Sequence, residues 1–138
     1  GVDADIWSVP SFNLLHRDAI EVERYNRLHP LEEAKLPFVT RQLQGYEGPV
    51  IASTDYIRSF ADRIRAYIPN DYHVLGTDGF GRSDSRANLR DFFEVDSRHV
   101  AVAALSALAE QGKVGKEVVQ QAIEKYGIQT DTAPSWKR

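Results

Sequence analysis

The 138-residue sequence contains no cysteine and no methionine, and it has no long apolar run. Without cysteine there can be no disulfide framework, no thiolate nucleophile and no zinc–thiolate site. A membrane-spanning helix needs about 20 consecutive apolar residues, and no stretch approaches that length. We therefore expect no membrane partner. The missing cysteine fits a cytoplasmic location.

An excess of charge of one sign is also missing. The chain has 17 basic and 20 acidic residues, for a formal net charge of -3. Proteins that bind nucleic acid usually concentrate basic residues on one face, whereas the basic residues here are scattered among acidic ones. We expect no nucleic-acid partner. The hydrophobic share of 42% and the length predict a single globular domain over residues 1–138.

Three short runs predict β-strands, at residues 4–9, 49–53 and 73–76. Helical spacing of apolar residues predicts helices over residues 11–28, 37–44, 57–68, 85–93, 97–111 and 116–126. Strands that alternate with helices favour an α/β domain with an open, mostly parallel sheet flanked by helices. Three strands are fewer than the usual four to six or so. Further strands are therefore expected from sequence not present here, or else a partner covers one edge.

The patterns also predict which faces are buried. In residues 57–68, one face is formed by Ile57, Phe60 and Ile64. Apolar residues nearly surround the helix over residues 100–111, so we expect burial on several of its sides. The first strand is expected to pair in parallel with another strand, and its Ile6 and Trp7 are expected to expose apolar surface.

Three glycines, Gly76, Gly79 and Gly81, follow the third predicted strand. Glycines at this density indicate backbone at positive φ, or backbone that another group approaches closely. We predict positive φ at Gly79 or Gly81. A dinucleotide-binding fingerprint would require a third glycine where Asp84 stands, and this carboxylate would repel a pyrophosphate. A tight turn is favoured over phosphate binding.

Asp78 and Asp84 flank this loop, with Arg82 between them. They could form a general acid–base pair or ligate a metal. An Asx-turn, a helix cap and a local salt bridge account for them better. No metal-binding spacing relates the four histidines His16, His29, His73 and His99. No nucleophile elbow surrounds the serines Ser83, Ser85 and Ser97. We predict no catalytic, cofactor-binding or metal-binding residue.

Segments along the whole chain match one family in the same order. They are residues 4–9, 11–15, 23–30, 52–56, 74–86, 93–96 and 100–108. Together they resemble the C-terminal domain of the homodimeric pyruvate dehydrogenase decarboxylating components. Gly79-Phe80-Gly81, followed by Ser83, also resembles a looser signature of transketolases.

The resemblance implies a three-domain parent enzyme that uses thiamin diphosphate and magnesium. This enzyme decarboxylates pyruvate and passes the acetyl group to a lipoyl carrier. The third domain supports the homodimer and contributes to docking on the acyltransferase core, so no cofactor is expected on this segment. The residues expected to form a structural or interface loop are Gly76, Asp78, Gly79, Phe80, Gly81, Arg82, Ser83 and Asp84.

The sequence departs from the family's pattern at the start of the chain. The family's domain begins earlier, with a strand and a helix ahead of the segment equivalent to Ala4. The implied fold is therefore a transketolase C-terminal-like sheet that lacks its first strand and helix. The alternative is a free-standing interaction or anion-binding α/β module.

Overall fold

A computed structural model describes residues 1–138 and contains six α-helices and two β-strands. In chain order these are α1 (Phe12–Leu28), α2 (Phe38–Leu43), β1 (Val50–Ser53), α3 (Arg58–Asp62), β2 (Tyr72–Leu75), α4 (Arg86–Phe92), α5 (Ser97–Glu110) and α6 (Lys116–Tyr126). Single 3₁₀ turns lie at Arg65–Tyr67 and Ser135–Lys137. None of the helices has the length and apolar character that crossing a membrane requires.

β1 and β2 form a parallel two-stranded sheet. Val50 lies opposite Tyr72, and Ser53 lies opposite Leu75. The connection between them contains α3, as expected for parallel neighbours, which need a crossover. The predicted α/β class, the parallel pairing of these two strands and the helices around them are confirmed.

The predicted strand over residues 4–9 is wrong, and so is its parallel pairing. These residues are extended chain without a ladder, and all of them are exposed. Ile6 and Trp7 are adjacent, so they break the alternation that lets a strand bury one face. The expected exposure of these two side chains is confirmed, since Ile6 is 95% exposed and Trp7 is 48% exposed.

α1 forms as predicted. Ser11 caps it by accepting a hydrogen bond from the Leu14 N–H at 3.2 Å, which satisfies one free donor of the first turn. Ala19 is its fully buried residue.

The single helix predicted over residues 57–68 is interrupted. α3 ends at Asp62, and a 3₁₀ turn follows. The carbonyl of Ala61 accepts the Tyr72 hydroxyl at 2.9 Å and also the Ile64 N–H at 3.5 Å, which replaces the regular α-helical pattern. Ala61 and Ile64 are buried, whereas Ile57 and Phe60 are exposed, so the predicted face was wrong for both of those residues.

The core is small. It lies between the sheet, α2 and the region of α3, and its buried members are Val39, Leu43, Ala61, Ile64, Tyr72 and Val74. α5 packs against the sheet and α6, but Ala107 is its only buried residue. Most other residues of α5 are half-buried, so the predicted burial of α5 on several sides holds only in part.

The protein exposes a large surface for its mass. Its accessible area is 9645 Å², whereas a compact monomer of 15.6 kDa is expected to expose about 7,300 Å². Only 12 residues are buried. Much apolar surface is therefore available to a partner or to another part of a longer chain.

Candidate functional site

The candidate site is the glycine loop, defined as residues 76–84, which connects the end of β2 towards α4. It leaves the sheet at the carboxyl end of the strands, where open α/β sheets usually place ligands and interfaces. Contacts from the segment before α3 and from the C-terminal 3₁₀ turn hold the loop.

Gly76 lies against the start of α3. A Cβ atom placed on it would lie 2.8 Å from the Arg58 backbone nitrogen and 2.9 Å from the Arg58 Cα. No larger residue fits at that distance without moving backbone. The next residue, Thr77, donates its N–H to the Tyr56 carbonyl at 2.9 Å. The loop and the entry to α3 are thereby held side by side.

Asp78 fixes the same junction electrostatically. Its Oδ1 accepts the Arg58 N–H at 3.0 Å, which is a donor of the first turn of α3. The Arg58 Nε lies 4.0 Å from its Oδ2. Asp78 therefore caps α3 and pairs with Arg58, and the predicted local salt bridge with the neighbouring Arg82 is wrong.

Gly79 has a φ of +122°, which confirms the predicted positive φ at one of the two glycines. A Cβ atom here would lie 3.1 Å from the Trp136 Cα and 3.2 Å from the Ser135 carbonyl oxygen. The Ser135 hydroxyl donates to the Asp78 carbonyl at 2.6 Å, and Ser135 is buried. The group that approaches this glycine closely is thus the C-terminal segment of the same chain.

The second half of the loop connects to α4. The Asp84 carboxylate accepts the Ser85 N–H at 2.6 Å and the Asn88 side-chain amide at 2.8 Å, and these bonds lower the pKa of Asp84. Ser85 caps α4. The Arg82 guanidinium lies 3.9 Å from the centroid of the Phe92 ring. The Asx-type role of Asp84 and a serine cap are confirmed.

The two loop aspartates, Asp78 and Asp84, do not form an acid–base pair. Asp78 is occupied by the N-terminus of α3 and Asp84 by the N-terminus of α4. Arg82, Ser83 and Asp84 line an open hollow with α4, but Asp78, the other loop aspartate, is not among the residues that line it. The site is therefore built from structural contacts.

One cluster that the sequence analysis missed lies outside the loop. The ligand atoms of Asp91, Asp96 and His99 lie within 4.8 Å of one another. The Arg98 guanidinium donates to both carboxylates, however. Its Nη2 lies 2.5 Å from Asp91 Oδ1 and 2.6 Å from Asp96 Oδ2. The spacing of Asp96 and His99 at i and i+3 was the available signal, and the result is a capped ion-pair network.

Exposed apolar side chains surround the glycine loop. We call this the aromatic patch, and it consists of Tyr56, Ile57, Phe60, Phe80 and Trp136. Phe80 is 86% exposed at the tip of the loop, and the Tyr56 and Phe60 rings meet edge to face at 6.0 Å. The contacts of Thr77 with Tyr56 and of Gly79 with Trp136 bring the three segments together. The sequence had predicted Ile57 and Phe60 in the core.

Comparison with known proteins gives one consistent result. Residues 1–96 match the family described as the transketolase-like TK C-terminal domain. The chain is 58% identical over 129 residues to a pyruvate dehydrogenase E1 component of Pseudomonas aeruginosa, which covers 93% of this chain and 15% of that protein. The corresponding proteins of Haemophilus influenzae and Escherichia coli K12 are 54% and 52% identical, each over 95% of this chain and 15% of the relative. The chain thus spans about 15% of the length of these curated relatives.

Proposed function

The chain belongs to the transketolase-like C-terminal domain family, and from this membership we propose that it is the C-terminal assembly domain of a pyruvate dehydrogenase decarboxylating component. The parent enzyme would decarboxylate pyruvate with thiamin diphosphate and Mg²⁺ and transfer the acetyl group to a lipoyl carrier. The partners would be the rest of the dehydrogenase chain, a second subunit and the acyltransferase core. The parent enzyme would be located in the cytoplasm.

The observation that carries this proposal is the aromatic patch on the glycine loop. Exposed aromatic residues are enriched in protein interfaces, and apolar patches of this kind are uncommon on free monomers. The loop beneath the patch is held by Asp78, Gly76 and Gly79 through contacts with two other segments. These contacts fix the backbone that leads into Phe80, and a preorganised backbone lowers the entropy cost of forming an interface.

The residues of the glycine loop do not fit the cofactors of the parent enzyme. A diphosphate would need free backbone N–H groups, but the backbone at Gly79 is covered by Ser135 and Trp136. A magnesium ion would need free carboxylate oxygens, and Asp78 and Asp84 already accept hydrogen bonds from Arg58, Ser85 and Asn88. An assembly role agrees with both facts.

The test is a Phe80→Asp substitution in the full-length dehydrogenase. A charge at the centre of a buried interface is costly, so we expect the dimer dissociation constant measured by analytical ultracentrifugation to rise at least tenfold. Acetyl transfer should fall with the loss of dimer. Leu31→Asp is the matched control, because Leu31 is fully exposed and lies outside the patch. A Phe80→Asp enzyme with an unchanged dissociation constant would refute the assembly role of the patch.

A further inference from the structure

The hollow beside the glycine loop carries two opposite charges that do not pair with each other. Arg82 and Asp84 both line it, and both residues are exposed. The ion pairs of the chain join other residues, so no carboxylate neutralises the Arg82 guanidinium and no cation neutralises Asp84. Both charges are therefore available to groups outside the subunit.

Arg82 is held in place by stacking. Its guanidinium carbon lies 3.9 Å from the centroid of the Phe92 ring, and the Arg138 guanidinium lies 4.7 Å from the same centroid. Stacking orients the plane of a guanidinium without using its N–H donors. These donors form a fork that matches the two oxygens of a carboxylate. Arg82 is therefore oriented for a carboxylate that its own subunit does not supply.

Asp84 is held by the start of α4. Its Oδ1 accepts the Ser85 N–H at 2.6 Å and the Asn88 side-chain amide at 2.8 Å. Both bonds use the same oxygen, which leaves Oδ2 without a hydrogen-bond partner. The carboxylate is thereby fixed in position, with one oxygen available to a donor from outside the subunit.

The presence of both charges in one hollow disfavours a simple ion as its ligand. A phosphate or an acidic peptide attracted by Arg82 would be repelled by Asp84, and a metal cation attracted by Asp84 would be repelled by Arg82. The fitting partner is a surface with an acid opposite Arg82 and a base opposite Asp84. A second copy of the same hollow has that arrangement, because across a two-fold axis residue i contacts residue j and residue j contacts residue i.

We propose that Arg82 of each subunit pairs with Asp84 of the partner subunit across the two-fold axis of the dehydrogenase dimer. The inference rests on the proposed function, in which the nearby Phe80 belongs to the subunit interface. Phe80 is 86% exposed at the tip of the same loop, so the two ion pairs lie beside the aromatic patch. Complementary charges around an apolar contact fix its register and exclude wrong partners.

Charge reversal in the full-length dehydrogenase tests this pairing. Arg82→Glu places two acids at each contact of the homodimer, and Asp84→Arg places two bases there. Each variant alone should therefore raise the dimer dissociation constant about tenfold or more. In a mixture of the two variants, every contact of the mixed dimer joins an acid to a base. With one variant fluorescently labelled, analytical ultracentrifugation should show mixed dimers whose dissociation constant is within about threefold of that of the unmodified enzyme.

Two further variants separate the pairing from effects on folding. Arg86→Glu reverses an exposed arginine of α4 that lies outside the hollow and forms no ion pair, so it should leave the dissociation constant unchanged. Asp84→Asn keeps an acceptor oxygen for Ser85 and Asn88 and removes the charge. It should weaken the dimer even if Asp84→Arg fails to fold.

Two results would overturn the proposal. If the single variants weaken the dimer and their mixture does not restore it, Arg82 and Asp84 pair with other groups of the second subunit. If Arg82→Glu and Asp84→Asn leave the dissociation constant unchanged, the hollow takes no part in the dimer. Phe80→Asp is measured separately, so a dimer weakened by Phe80→Asp alone would retain the proposed function and reject only this inference.

Discussion

Arg58 donates its backbone N–H to the Asp78 carboxylate over 3.0 Å, so a residue of the loop after β2 caps the helix that follows β1. The two residues are 20 positions apart. Because Gly76 also lies against Arg58, the end of one strand and the start of the neighbouring helix form one unit. The residues of the aromatic patch lie on and around that unit.

Replacing Asp78 by alanine should destabilise the protein by about 0.5–2 kcal/mol, because the start of α3 loses its cap. Asp78→Asn keeps an acceptor oxygen and removes only a partly exposed ion pair, which is worth little. Urea unfolding should therefore show a clear fall in the midpoint for the alanine variant and a small one for the asparagine variant. Equal losses in both would mean that the charge, and not the cap, is what stabilises the junction.

The three loop glycines should respond differently to alanine. Gly76→Ala places a Cβ against backbone and should cost about 1–3 kcal/mol through overpacking. Gly79→Ala should cost about 1 kcal/mol or more, because its positive φ is unfavourable for alanine. Gly81 has open space around it and no positive φ, so its alanine variant is the matched control. Thermal or urea unfolding of the three variants measures the order, and a loss at Gly81 as large as at Gly76 would contradict it.

Much of the fold could be predicted because local signals and tertiary structure agree. Ser11, Asp96 and Gly127 mark helix ends at the predicted places, and each does so through its own side chain or backbone conformation. Residues 4–9 could not be predicted in the same way. Whether a strand-like run pairs depends on a neighbouring strand, and none is hydrogen-bonded to it here.

The site was predictable in part. Positive φ at a loop glycine follows from glycine density alone, and Gly79 has it. The partners were not predictable, since Arg58 and Ser135 lie 20 and 57 positions from Asp78. Spacing within the loop favoured Arg82 as the ion-pair partner, but its side chain packs on Phe92 instead. The break in the helix at Ala61 was not predictable either, because the Tyr72 hydroxyl that donates to the Ala61 carbonyl comes from a residue outside the helix.

Stability should fall in acid because of Asp96. Burial alone would raise the pKa of Asp96, but hydrogen bonds from the His99 N–H, from Arg98 and from the His99 ring outweigh it and lower that pKa to about 2. A carboxyl group with a lowered pKa contributes its full stabilisation when the pH is above its ordinary pKa of 3.8. This stabilisation is lost as the pH falls towards 2. Asp96→Asn should therefore flatten the dependence of unfolding free energy on pH between about 5 and 2.

The control for the acid prediction is Asp131→Asn. Asp131 is exposed and makes no hydrogen bond or ion pair through its side chain, so its removal should leave the slope as in the unmodified chain. Urea midpoints at pH 5, 4 and 3 measure the slopes. A slope for Asp96→Asn equal to that of the Asp131 variant would contradict the assignment.

The chain alone should neither bind thiamin diphosphate nor decarboxylate pyruvate. The carboxylates of the glycine loop are occupied, and the backbone at Gly79 is covered by the C-terminal segment. Calorimetric titration with thiamin diphosphate and Mg²⁺, and with phosphate, should show no heat of binding. Full-length dehydrogenase is the positive control for the cofactor. Saturable phosphate binding by the short chain would instead support an anion-binding module.

The bond between the Ser135 hydroxyl and the Asp78 carbonyl joins residues that are 57 positions apart. The loop-closure entropy of the intervening chain opposes this contact until α5 and α6 have packed. It should therefore form after the folding transition state. Its removal by Ser135→Ala should speed unfolding and leave the folding rate nearly unchanged. The contact of the C-terminal segment with the glycine loop should thus slow the unfolding of the domain and have little influence on its folding rate.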